Sequence, residues 1–270
     1  MKKIVLSYLI PIIVITACAT PEITPDRPFT QADREQVNKI LDTIQKVNAN
    51  APHSVDAAFR LDGLLGKKKF KASGYFLYNK SPEKARITFV DSVFKSPLTT
   101  LVQDGNIIKI HFPVENTLII DNENTINLED YISVPANYNF LKNMITSHIP
   151  LLPEYNINRG LLPVKDDGGS TGEMYLILEN DNYYETISFK NSIPTRILLV
   201  TRKSRKKFEF YFLEPSVRGG EFHFKGIEMI EPGTGNKVTI TFTKYKTGRK
   251  ISTSRITRLN LKNNVKIFRK

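Results

Sequence analysis

The chain has 270 residues, 40% of them apolar, with a single cysteine and no tryptophan. That length suffices for one large sheet domain, and a lone cysteine excludes an internal disulfide, so an ordinary apolar core must hold the fold. The net charge of +12 conceals an asymmetry: residues 1–195 carry 20 basic and 22 acidic side chains, whereas residues 196–270 carry 19 and 5.

The chain starts with Lys2 and Lys3, an apolar run from Ile4 to Val14, and then Ile15-Thr16-Ala17-Cys18. A charged start, a short apolar stretch and small residues before a cut are the parts of a secretory signal, here residues 1–17. The run is too short to span a bilayer comfortably, and Pro11 interrupts it. With its cysteine in that place, the segment resembles a bacterial lipoprotein signal. The resemblance implies cleavage before Cys18 and a diacylglycerol on its sulfur. By the sorting rule of such lipoproteins, Ala19 after the anchor favours the outer membrane, facing the periplasm. Residues 18–30, with Pro21, Pro25 and Pro28, then read as an extended tether. Export argues against nucleic acid as the partner of the basic C-terminal third. Anionic lipid or an anionic wall polymer suits an exported basic surface better. The same charges can also simply face water along a strand.

Residues 31–270 read as one domain. Val37, Ile40, Leu41, Ile44 and Val47 recur at helical spacing and predict a helix over 34–47, ended at Ala49-Asn50-Ala51-Pro52. Strands are expected at 55–64, 69–79, 84–91, 98–103, 106–112 and 117–121, separated by short turns. The middle turns helical, with one turn at 128–132 and a helix at 138–149 that places Phe140, Leu141, Met144, Ile145 and Ile149 inward. A loop is expected over 153–172. Strands resume at 173–180, 183–190, 194–202, 206–214, 221–231, 237–246 and 254–262. Phe208, Phe210 and Phe212 alternate strictly, as do Val238, Ile240 and Phe242, so each series shares one sheet face. The rhythm is that of an antiparallel meander.

A leading amphipathic helix, about a dozen antiparallel strands and helices inserted midway are similar to the LolA/LolB-like lipoprotein carrier family. The likeness is best over residues 55–125. Ala58-Phe59-Arg60-Leu61-Asp62-Gly63 resembles the first strand of the family, and Ala72-Ser73-Gly74-Tyr75-Phe76-Leu77-Tyr78 the second. Arg86-Ile87-Thr88-Phe89 resembles the third, and Gln103-Asp104-Gly105-Asn106 the acidic-glycine hairpin. The resemblance implies a mainly β (α+β) fold, a curved antiparallel half-barrel plugged by helices. It implies an apolar cavity for lipid or lipoprotein acyl chains, lined by Val37, Leu41, Ile44, Phe59, Leu61, Tyr75, Phe89, Phe140 and Met144. In LolB-like receptors the loop after the third strand carries a Pro-Leu pair and an exposed apolar residue that aids transfer into the membrane. Pro97-Leu98 matches the pair, Thr99 stands where a glycine is usual, and Phe94 or Leu98 would be the transfer residue. The same apolar periodicity would equally describe a filled core.

Acyl carriage needs no catalytic group and no cofactor; it needs apolar area hiding about 0.8 kcal/mol per methylene from water. The rival reading is a structural lipoprotein whose basic C-terminal sheet docks an anionic envelope partner. A remote one is a serine hydrolase. Gly168-Gly169-Ser170-Thr171-Gly172 satisfies G-x-S-x-G, with Asp181 and His223 downstream, but the mechanism requires a strand-to-helix elbow. A strand-like Met174-Tyr175-Leu176-Ile177-Leu178 follows instead. His53, His111, His148 and His223 show no metal-ligand spacing, and no phosphate-cradling glycine motif occurs.

Overall fold

Periodic Val37, Leu41, Ile44 and Val47 form one buried stripe of helix α1 (Gln31–Ala49), with Lys46 in the last turn where the helix dipole favours a cation. The computed structural model describes residues 31–94, 96–123, 126, 138–166 and 169–269. The signal with Cys18, the tether and the expected turn at 128–132 lie outside the described residues.

Strands β1 (Ser54–Leu65), β2 (Lys68–Lys80), β3 (Glu83–Asp91), β4 (Pro97–Asp104), β5 (Ile107–Phe112) and β6 (Thr117–Asn122) follow as consecutive hairpins. Helix α2 (Tyr138–Ile145) comes next. It stops four residues earlier than expected because Ser147 takes a left-handed φ of 64°. The Ser147 N–H then donates to the Met144 carbonyl and the His148 N–H to the Asn143 carbonyl, the paired bonds of a Schellman end.

The second half contains β7 (Asn156–Asp166), β8 (Gly169–Glu179), β9 (Tyr183–Lys190), β10 (Ile193–Thr201) and β11 (Lys207–Leu213). The small hairpin β12 (Ser216–Arg218) and β13 (Glu221–His223) stands apart as its own sheet. Then come β14 (Gly226–Glu231), β15 (Asn236–Thr247), the short helix α3 (Thr253–Thr257) and β16 (Lys266–Arg269).

Among the described residues, fourteen strands make one sheet in the order β16-β6-β5-β4-β3-β2-β1-β15-β14-β11-β10-β9-β8-β7. All neighbours are antiparallel except β16, which lies parallel to β6. The long-range pairing of β1 with β15 joins the two meanders into one surface. The sheet is open, with β16 and β7 as its edges, and it is neither closed into a barrel nor strongly curled. This corrects the half-barrel expectation. Alternation along a strand assigns its faces, but curvature accumulates between strands, through twist and bulges, and no single strand records it.

Three segments differ from the sequence reading. Residues 153–172 hold the β7–β8 hairpin rather than a loop. Gly160 and Pro163 disguised β7, yet β7 is an edge strand, where a missing N–H is tolerated. The 221–231 strand is split between β13 and β14. Residues 254–262 contain α3 rather than a strand.

One apolar core lies between the inner face of the sheet and the two longer helices. It joins Val37, Leu41 and Ile44 of α1 and Tyr138, Leu141 and Met144 of α2 to alternate residues of β1–β5, β8–β11, β14 and β15. Phe208, Phe210 and Phe212 all point into it, as do Val238 and Ile240. A bulge at Thr243, opposite the Ala58/Phe59 step, brings both Phe242 and Tyr245 onto this inner face.

Candidate functional site: the roofed inner face and the loop at its end

Of the nine side chains expected to line an acyl-chain site, eight meet in this core. Val37, Ile44 and Met144 are 1% exposed or less, and Leu41, Phe59, Leu61, Phe89 and Phe140 are buried with them. Tyr75 does not join them: it is 51% exposed. Strand period explains why, since Ala72, Phe76 and Tyr78 of β2 point inward and Tyr75 must point out. At these core positions the interior is closed to water, so a ligand reaching it must displace part of the helical roof.

Polar contacts among the described residues fasten that roof. Asn48 at the end of α1 is bonded to Ile149 beyond α2. The Tyr245 hydroxyl donates to the Ile145 carbonyl at 2.9 Å and lies 2.9 Å from Ser147 Oγ. Burial pushes the Tyr245 phenol up to about 12. At the start of α2, the Tyr138 hydroxyl donates to Gln103 Oε1 at 2.8 Å, and Gln103 in turn donates to Glu123. Lys142 is buried between Glu83 (2.6 Å) and Glu123 (3.6 Å). Lys142 and Glu123 are largely withdrawn from water and Glu83 is half exposed, so loss of either carboxylate would leave the buried ammonium less compensated.

Two titratable groups sit beside the roof, one half-buried and one buried. Burial, then Lys80, lowers His148 to about 4, and its Nδ1 lies 2.8 Å from Thr146 Oγ1. Glu185 is fully buried on the inner face of β9, and burial pushes it up to about 8. Its Oε2 accepts the Leu152 N–H at 2.9 Å, while Oε1 has no hydrogen-bond partner among the described residues. Sequence reasoning missed Glu185, although its place in the inward phase of Glu185, Ile187 and Phe189 was visible.

At one end of the sheet, the β3–β4 loop presents apolar side chains to water. Phe94 is 84% exposed and Val93 77%, with Leu98 also exposed. Asp91 shapes the loop: its Oδ1 accepts the N–H groups of Val93 (2.8 Å) and Phe94 (2.7 Å). The Asp91 N–H donates to the Ser96 carbonyl. Val93 was not singled out from sequence; the Asp-Ser-Val-Phe order of a side-chain-closed turn was the available signal.

No family model matches the chain, and no curated protein matches it. Solved structures do. A domain from Vibrio parahaemolyticus named for outer membrane lipoprotein sorting superposes with a TM-score of 0.59 at 10% identity, covering 83% of this chain and 97% of that one. A LolA superfamily protein from Nitrosomonas europaea gives 0.56 at 12%, covering 82% and 97%. A DUF1329 family protein from Desulfovibrio piger gives 0.59 at 11%, covering 84% and 99%. The chain has a LolA-like fold. At these identities the likeness is one of fold, and a LolA-like fold by itself assigns no ligand.

The LolA-like sheet also decides the hydrolase question at Ser170. This residue is the second of β8 in an antiparallel hairpin, paired with Lys165 of β7. A strand leaves the turn where the nucleophile elbow requires a helix. Among the described residues no group of three or more His, Cys, Asp or Glu could hold a metal ion. No described helix is long and apolar enough to cross a membrane.

Proposed function

We propose that the protein is a lipid-anchored carrier of the cell envelope that takes acyl chains of lipid or lipoprotein between its inner sheet face and the α1–α2 roof. The supporting observation is the construction of the interior: a broad apolar sheet face covered by two helices, which Asn48 and Tyr245 fasten through side-chain hydrogen bonds. Each methylene transferred from water into that space gains about 0.8 kcal/mol, enough to displace roof side chains in exchange for a long alkyl tail. The binding residues are Val37, Leu41, Ile44, Phe59, Leu61, Phe89, Phe140 and Met144. Phe94, Val93 and Leu98 form the transfer loop, Cys18 carries the lipid, and residues 31–270 act as one domain. The resemblance of the fold to a protein named for outer membrane lipoprotein sorting supports an outer-membrane site facing the periplasm.

The test is stoichiometric uptake of a fluorescent fatty-acid probe by the folded protein. Ile44→Trp and Met144→Trp should abolish uptake while the far-UV spectrum stays native. Absence of probe binding by the wild-type chain under native conditions would overturn the proposal in favour of a solid structural lipoprotein.

A further inference from the structure

After β15 the chain leaves the inner layer and crosses the outer face of the sheet as a strap. Ile251 and Ile256 pack on Leu77, the outward residue of β2. Asn79 Nδ2 donates to the Ile251 carbonyl at 2.9 Å. Arg86 on β3 donates to the carbonyls of Ile256 (3.3 Å) and Arg258 (2.6 Å). Asn116 Nδ2 donates to the carbonyls of Asn263 (3.3 Å) and Asn264 (3.2 Å), and the Asn116 carbonyl accepts the Lys266 N–H. The strap then ends as β16 on the edge of β6.

Every one of these fastenings uses apolar contact or a strap backbone group. Of the strap's own cations, Arg255 alone reaches a sheet carboxylate among the described residues, 3.8 Å from Asp56. Residues 232–270 contain eleven Lys and Arg and no Asp or Glu. Arg249, Lys250, Arg258, Lys262, Lys266 and Arg269 are all exposed, and none forms an ion pair within 4.0 Å among the described residues. Among the described residues two carboxylates meet the region: Glu228 lies 2.6 Å from Lys237, and Asp56 lies 2.9 Å from Lys244 and 3.8 Å from Arg255. Outward His111 on the sheet beneath is held below its ordinary range by burial first, then by Arg86 of the sheet, and last by Lys262 of the strap.

A solvating surface would mix both signs and avoid apolar side chains. This one does neither. Leu261, Ile267 and Phe268 are 41%, 53% and 54% exposed among Lys262, Lys266 and Arg269. Val114, 78% exposed, protrudes from the β5–β6 turn beside the start of β16. That turn and the loop bearing Val93 and Phe94 lie at the same end of the sheet, since β3 and β5 both finish there and β4 and β6 both begin. Cationic side chains interspersed with exposed aliphatic and aromatic ones suit an anionic bilayer, where charges meet headgroups and apolar tips enter the acyl boundary. A soluble polyanion would use the charges and leave the apolar tips in water.

We infer that the outer-face strap, residues 249–269, is a docking surface for an anionic phospholipid bilayer. This orients the protein on a membrane by a contact separate from any lipid on Cys18 and separate from acyl carriage. The experiment uses the full chain carrying Cys18→Ser, so that no anchor contributes. It is sedimented with phosphatidylglycerol-containing vesicles and with neutral phosphatidylcholine vesicles, at low and high salt. Binding is expected on the anionic vesicles alone, weakening steeply as the Debye length shortens. The combined variant Arg249→Glu, Lys250→Glu, Lys262→Glu should lower partitioning by at least about 100-fold with unchanged thermal unfolding. Phe268→Asp should remove the fraction of binding that survives high salt. If the triple variant unfolds, the milder Arg249→Gln, Lys262→Gln pair should still weaken binding. Equal binding to neutral vesicles, retention by folded charge-reversal chains, or binding of soluble polyphosphate in place of vesicles would each overturn the inference. The fatty-acid probe plays no part, so failure of the carrier proposal leaves these outcomes readable.

Discussion

Asn48 forms a two-way hydrogen-bonded pair with the backbone of Ile149: its Nδ2 donates to the Ile149 carbonyl at 2.9 Å, and its Oδ1 accepts the Ile149 N–H at 2.8 Å. One side chain thus ties the end of α1 to the segment after α2. Each such bond contributes about 1 kcal/mol net, so Asn48→Ala should lower unfolding stability by about 2 kcal/mol in urea titration. If the roof moves during loading, the same variant should take up the fatty-acid probe faster. Lost stability with unchanged uptake would detach this fastening from loading.

Glu185 makes stability depend on pH in a defined direction. Its folded value of about 8 lies above the ordinary 4.5, so the folded state keeps a proton that the unfolded state releases between those values. Stability should therefore fall as pH rises from 4.5 to 8, by up to about 1.4 kcal/mol per pH unit. His148 has the opposite sign: its folded value of about 4 lies below 6.5, so its contribution is lost as pH falls through that window. The two slopes oppose between 4.5 and 6.5, and Glu185 acts alone above. Glu185→Gln keeps an acceptor for the Leu152 N–H and should flatten the denaturation midpoint between pH 6.5 and 8. A slope that persists in the variant would assign the dependence elsewhere.

Gly74 is required by its register partner on β1. The Phe59 ring lies over it, and a Cβ built at Gly74 would stand 2.2 Å from Phe59 Cζ. Gly74→Ala should cost about 1–3 kcal/mol as overpacking. Phe59→Leu in the same chain should recover part of that loss, because the two sites share one volume. A double variant as unstable as the sum of the singles would contradict the contact.

Phe94 offers a test that separates function from folding. At 84% exposure it contributes little to the core, so Phe94→Asp should shift stability by less than about 0.5 kcal/mol. Transfer of a loaded acyl probe from protein to vesicles should slow markedly. Asp91→Ala should slow transfer as well, since Val93 and Phe94 lose the carboxylate that closes their turn. Normal transfer by both variants would remove the loop from the mechanism.

Much of the sheet was legible in the sequence because a strand's period belongs to its own backbone. Phe208, Phe210 and Phe212 alternate and share the inner face; Ala58-Phe59-Arg60-Leu61 places Phe59 and Leu61 inward. Tyr75 was misplaced because aromatic character outweighed phase: Gly74 and Phe76 flank it, and the inward register runs through them. β7 was hidden for another reason. An edge strand tolerates Pro163, whose missing N–H costs no ladder bond there, and with Gly160 it breaks the local strand pattern. The strap was read as a strand at 254–262, but its partners Asn79 and Arg86 lie about 170 residues earlier. Local composition could not reveal that such distant donors await its carbonyls.

Helix and strand periods, the inward faces and the uneven charge were fixed by the order of residues, since each depends on neighbours within a few positions. The openness of the sheet, the sealing of its interior under α1 and α2, the burial of Glu185 and the route of the cationic strap were decided by tertiary structure. Those properties arise where β1 meets β15, Asn48 meets Ile149 and Leu77 meets Ile256. They depend on twist and packing summed over contacts a hundred or more residues apart, which a local pattern does not encode.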